Sequence, residues 1–230
     1  GAFTIGAFSL GITMLMDLAG GNGRNMGAAG IAIGLGAALG SVAGGQLAAL
    51  SPFGPVYAGA AVLGGAGLVA ATVDETATET SSEADAAAPD RRGVGAAVDT
   101  LRSTPALGVP FAFGFVDRLT AGFFSLVGVF YFGDVFGLDA AGVGIALALF
   151  FLPFALLQYP LGSLSDRIGR FVPVVAGSVG YGVTIIAVGL AQTVEVAMGL
   201  MALVGVAGAF VAPATMALVT DLVDPAERGV

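Results

Sequence analysis

The chain has 230 residues, 57% of them hydrophobic and only 10% charged, with a mean hydropathy of +0.95. A soluble domain of that length carries more charge and shorter apolar runs. Cysteine and histidine are absent, which removes disulfides, thiolate metal sites and imidazole chemistry. The formal charge of −8 excludes a basic nucleic-acid surface.

Seven apolar spans fall at 1–18, 27–49, 54–72, 109–133, 141–161, 172–191 and 197–219. Several reach or exceed the roughly 18 residues that a bilayer-crossing helix needs. The sequence therefore predicts an all-α, polytopic membrane protein whose partner is the lipid bilayer. All eight basic residues are arginines. Arg24 follows the first span, Arg91, Arg92 and Arg102 the third, Arg167 and Arg170 the fifth, and Arg228 the seventh. The loops at 50–53, 134–140 and 192–196 have none. Basic loops stay on the cytoplasmic side, which places the 73–108 loop and the Gly162–Arg170 loop in the cytoplasm of a multi-pass cell-membrane protein. An acidic, lysine-free chain rich in alanine, glycine and valine is the composition expected of a halophilic archaeon. The chain opens inside an apolar run and stops at Glu227–Val230 in what reads as a loop, so a longer protein is expected.

In chain order, the first span ends at Asp17. The second is a glycine ladder of Gly27, Gly30, Gly34, Gly36, Gly40, Gly44 and Gly45; spacing of four places glycines on one helix face and lets a neighbouring helix approach closely, and packing alone and a more specific role both fit it. Ser51-Pro52-Phe53-Gly54-Pro55 reads as an external turn. Between 73 and 104 lie seven acids among Thr, Ser and Ala, the composition of a solvated linker, closing on a short surface helix at 92–103. The linker, 73–108, divides the chain into 1–72 with three spans and 109–230 with four.

The fourth span carries Asp117 and Arg118, about 12 Å from its cytoplasmic end at 1.5 Å per residue. Ionisable residues at that depth face a cavity or one another. Neighbours about 100° apart on a helix do not pair side by side, so substrate or ion coupling and an interhelical ion pair both remain open. The fifth span ends at Gln158-Tyr159-Pro160, whose polar groups need partners at that depth. It leads into Gly162-Ser-Leu-Ser-Asp166-Arg167-Ile-Gly169-Arg170, where three charges fall within five positions. The seventh span holds Pro213 and Thr215. An internal repeat links the chain ends: Asp17-Leu18 with Arg24, and Asp221-Leu222 with Arg228, are offset by 204 residues, and six spans separate them.

These residues resemble the major facilitator superfamily of secondary transporters. Gly162, Asp166, Arg167, Gly169 and Arg170 match its cytoplasmic motif, with Phe171 at the last basic position. Gly27, Gly36, Gly40, Gly44 and Gly45 match its antiporter glycine motif in the fifth helix, with Ser41 where that pattern has proline. The resemblance implies a two-halved fold of twelve helices, of which seven, the fourth to the tenth, are present. On that count 1–72 ends the first half and 109–230 begins the second, while 1–18, 109–133 and 197–219 line a central cavity. It further implies secondary active transport by alternating access, with no cofactor, no metal, no enzymatic activity, and a monomer as the full-length form. Asp166 is placed to accept from a helix N-terminus and the arginines to bind carboxylates, closing a cytoplasmic gate whose expected partner is the eleventh helix.

The cavity spans are mostly Ala, Gly, Phe, Leu and Val, which favours efflux of a small apolar or amphipathic solute driven by a proton or sodium gradient. A retinal protein is excluded by the absence of lysine, and no nucleophile elbow, phosphate loop or metal cluster points to an enzyme. A transporter-like receptor or scaffold that no longer transports is the remaining alternative.

Overall fold

The computed structural model describes residues 22–70 and 126–222, together with the helical positions Gly108, Ala112, Phe115, Leu119 and Gly122. Five long helices carry the architecture: α1 (Asn22–Leu50), α2 (Gly54–Ala70), α3 (Ala140–Ile168), α4 (Phe171–Gly189) and α5 (Val194–Leu222). A helical stretch from 126 ends before α3 in a π-helical turn, Tyr131–Val135. There is no strand among the described residues, as a chain in lipid requires, because each helix satisfies its own backbone groups.

Four of these helices, over Arg24–Leu50, Ala140–Ile168, Phe171–Gly189 and Val194–Leu218, are long and apolar enough to cross a membrane. They coincide with the second, fifth, sixth and seventh expected spans. The third span is α2, and the described part of the fourth is helical. The first span, the linker up to residue 107 and the surface helix at 92–103 lie outside the described residues.

Across the bundle the order is α2, α1, α3, α5, α4. Among the described residues the most extensive contact joins α1 to α3, α5 lies between α3 and α4, and α2 packs at the edge of α1. Consecutive α3 and α4 barely touch. One cause is that a glycine lies at each contact of α5, its own towards α3 and one of α4 towards it. Gly205 meets the Phe150 carbonyl and Pro153, and on α4 Gly177 meets Phe210 Cβ and Val211 Cγ2, with 2.7 Å left for an added Cβ. An apolar cluster closes one end of the bundle: Phe132, Val143, Ala146, Phe150, Val188, Ala197, Met201 and Val204. Tyr131, on the π-helical turn, donates its hydroxyl to the Val188 carbonyl at 2.6 Å and ties that turn to the end of α4. The arginine-free turns at 51–53, 136–139 and 190–193 lie at this end. Arg24, Arg167 and Arg170 lie at the other.

Two expectations about local structure are corrected. The Gly162–Arg170 stretch is not a loop: α3 continues through it to Ile168, and only Gly169 and Arg170 separate α3 from α4. With 29 residues, α3 is about 43 Å long against about 30 Å of hydrocarbon, so its last turns carry charge beyond the apolar layer without leaving the helix. The glycine ladder, moreover, does not share one face. Gly27, Gly30, Gly34, Ala38, Ser41 and Gly45 recur at intervals of three and four and form the seam against α3. Gly36, Gly40 and Gly44 have no described atom within 4 Å of an added Cβ. Nine residues separate Gly27 from Gly36, which is half a revolution at about 100° per residue.

Candidate functional site

The charged end of the bundle is built from four helix ends, those of α1, α3, α4 and α5. Asp166, on the last turns of α3, accepts a hydrogen bond from the Arg24 backbone N–H in the first turn of α1, at 3.0 Å to Oδ2. Its other oxygen receives Arg170 Nη1 at 2.6 Å. Arg170 reaches further, from Nε to Asp221 Oδ2 near the end of α5 at 2.9 Å, and its Nη1 also lies 3.3 Å from the buried Ser165 hydroxyl. One guanidinium thus joins two carboxylates, and one carboxylate joins a cation to a helix N-terminus.

The local placement of these charges is unfavourable without the others. A cation at a helix N-terminus and an anion at a C-terminus both oppose the macrodipole. Arg170 occupies the N-terminal flank of α4, and Asp221 lies in the last turn of α5. Each is compensated by the other across the bundle. Asp166, in contrast, meets the positive end of α1, a favourable arrangement. Burial pulls the Arg170 guanidinium down, but hydrogen bonds and charge from Asp166 and Asp221 outweigh it, so its pKa is raised above the ordinary value. The arginine stays charged throughout. Its side chain is 15% exposed, which protects these pairs from the screening that makes fully exposed ones worth little. Hydrogen bonds to ionised groups contribute about 1.5–3 kcal/mol each.

Gly169 makes the geometry possible. Its φ of +91° with ψ of 163° lies where L side chains are strained, and its N–H still closes on the Ser165 carbonyl at 3.0 Å. The chain therefore ends α3 and starts α4 within two residues, turning Arg170 back towards Asp166.

Of the residues singled out in the sequence, Asp166, Arg170, Asp221 and the backbone of Arg24 meet here. Arg167, also at this end, has an exposed side chain in the last turn of α3, and Gly162 is buried in that helix. Gly27 and Gly45 belong to the α1–α3 seam, whereas Gly36, Gly40 and Gly44 face away from it. Ser41 keeps α1 continuous where a proline would release a carbonyl, and its hydroxyl bonds back to the Ala37 carbonyl at 2.8 Å. Asp17, Asp117, Arg118 and Arg228 lie outside the described residues. The helix N-terminus that Asp166 meets among the described residues is that of α1.

Sequence reasoning missed three participants. Ser165 is fully buried beneath Arg170, and Gly144 and Ala155 supply the α3 side of the seam. Their signal was available as small residues on one face of α3, in register with those of α1. Thr215 is buried two residues beyond Pro213, and its hydroxyl has no partner among the described residues.

A bundle of apolar helices, joined through small residues and tied at one end by a charge network, defines a polytopic helical membrane protein. A family model, Major Facilitator Superfamily, matches residues 111–230, over half of the sequence. The chain belongs to that superfamily, whose members move small solutes across membranes and are transporters, not enzymes. No curated protein and no solved structure matches it.

Proposed function

We propose that the protein exports a small apolar or amphipathic compound by alternating access, drawing on a proton or sodium gradient. The observation that carries this reading is the Arg24–Asp166–Arg170–Asp221 network. It ties α1, before the acidic linker, to α3, α4 and α5, after it, at the arginine-bearing end. Arginine-bearing ends face the cytoplasm, so the network is a cytoplasmic latch, made when that side is closed and broken when it opens. On this reading 1–72 and 109–230 belong to the two halves that rock against each other, in a monomer of the cell membrane. Asp117 and Arg118 carry substrate or ion coupling at mid-membrane depth. The apolar composition of the cavity spans supports an apolar or amphipathic solute, and the lysine-free, acidic composition supports a halophilic archaeal source.

The test is flux of an amphipathic fluorescent dye in vesicles holding the intact protein. Asp166→Asn is expected to slow flux more than about ten-fold while dye binding stays near its native value. Asp117→Asn is expected to remove the acceleration that a proton or sodium gradient produces. Native flux in both variants, or no flux in the unmodified protein under any gradient, rejects the proposal and favours a non-transporting receptor or scaffold.

A further inference from the structure

Gln158 is a polar side chain with only 2% of its surface exposed, on a helix otherwise buried through small and apolar residues. Eight residues before Asp166, it lies about 12 Å further into the bundle. Its amide occupies a slot in α1 that glycine alone provides. A Cβ at Gly30 would overlap Gln158 Oε1, and one at Gly27 would come within 2.5 Å of the Gln158 carbonyl. Gln158 Nε2 donates to the Gly30 carbonyl over a long 3.4 Å. A turn further along, Gly34 brings α1 down onto Ala155, with 2.6 Å left for an added Cβ.

We propose that Gln158 and its Gly30 slot form a second, uncharged latch that positions α1 against α3 and sets how readily the charged end opens. The inference rests on the alternating-access reading above. Its chemical logic lies in the choice of an amide. A leucine there would resist wetting when the helices part, and a carboxylate would resist burial when they close. A neutral amide can donate to the Gly30 carbonyl in the closed form and to water in the open one, with no charge to desolvate. The weak closed-state bond suits a contact that must break in every cycle.

The 230 residues hold no cysteine, so spin labels can be placed on cysteines replacing Ala28 and Ile168, two exposed positions at the charged end. The distance between them in the intact protein reports opening. Gly30→Ala is expected to raise the ratio of long to short distances about ten-fold, and Gln158→Ala, which creates no overlap, about five-fold. The double variant Gly30→Ala/Gln158→Ala is expected to shift less than Gly30→Ala alone, because the shortened side chain vacates the slot; two sites that do not touch would add. Gly182→Ala, with no described atom within 4 Å of its added Cβ, serves as the control. Should Gly30→Ala fail to fold, Gln158→Ala decides by itself. A native distance distribution in Gln158→Ala, or additive shifts in the double variant, overturns the latch. Asp166→Asn in the same assay separates the two proposals: a shift there with none in Gln158→Ala removes only the second latch. One unchanging distance in every variant removes both.

Discussion

Gly169 shows how much a single residue can position. Its φ of +91° ends α3 and delivers Arg170 to two carboxylates within one residue of chain. Any side chain at this position is strained by about 1–3 kcal/mol. Gly169→Ala is therefore expected to lower thermal stability in detergent by that amount and to slow dye flux, since Arg170 is turned from Asp166. A native melting temperature would show that the backbone here relaxes without cost. The motif containing Gly169 was legible in the sequence as spacing. That its residues meet Arg24 and Asp221, 142 and 51 positions from their partners, was not.

Between elements, the α1–α3 seam depends on backbone approach and not on side-chain bulk. At Gly144 an added Cβ would overlap the Ser41 carbonyl, and one at Gly45 would come within 2.5 Å of the Ala140 carbonyl. Lipid tails give helices no hydrophobic reason to associate, so close contact of small residues supplies much of the attraction. Gly144→Ala is expected to lower stability by about 1–3 kcal/mol, read as a fall in unfolding temperature. Gly40→Ala meets no described atom and is expected to be neutral or slightly stabilising, because alanine favours the helix by up to about 1 kcal/mol. Equal losses in both would contradict the division of the ladder into two faces. Glycine abundance identified the packing helix; the interval between glycines decided which of them pack, and nine residues is a turn to the opposite side.

For the molecule as a whole, the two carboxylates of the latch have different reach. Asp166 joins α1 to the helices beyond the linker, whereas Asp221 engages Arg170 within the later group and is more exposed, at 37% against 20%. Asp221→Asn is expected to slow flux about five-fold or less, well short of Asp166→Asn, and to leave the Ala28–Ile168 distance near its native value. A larger effect of Asp221→Asn on that distance would place the hinge of opening at α5. Hydrophobic runs and a spaced charge motif were enough to determine a multi-helix membrane protein, the positions of its spans among the described residues and its family, because lipid imposes helix and length on any apolar run. Which helices touch, which glycines they touch through, and that Asp166 caps α1 were decided only by tertiary structure. Those contacts join residues distant in the chain, 51 positions apart for Arg170 and Asp221 and 142 for Arg24 and Asp166, and no local pattern in the chain records which faces come together.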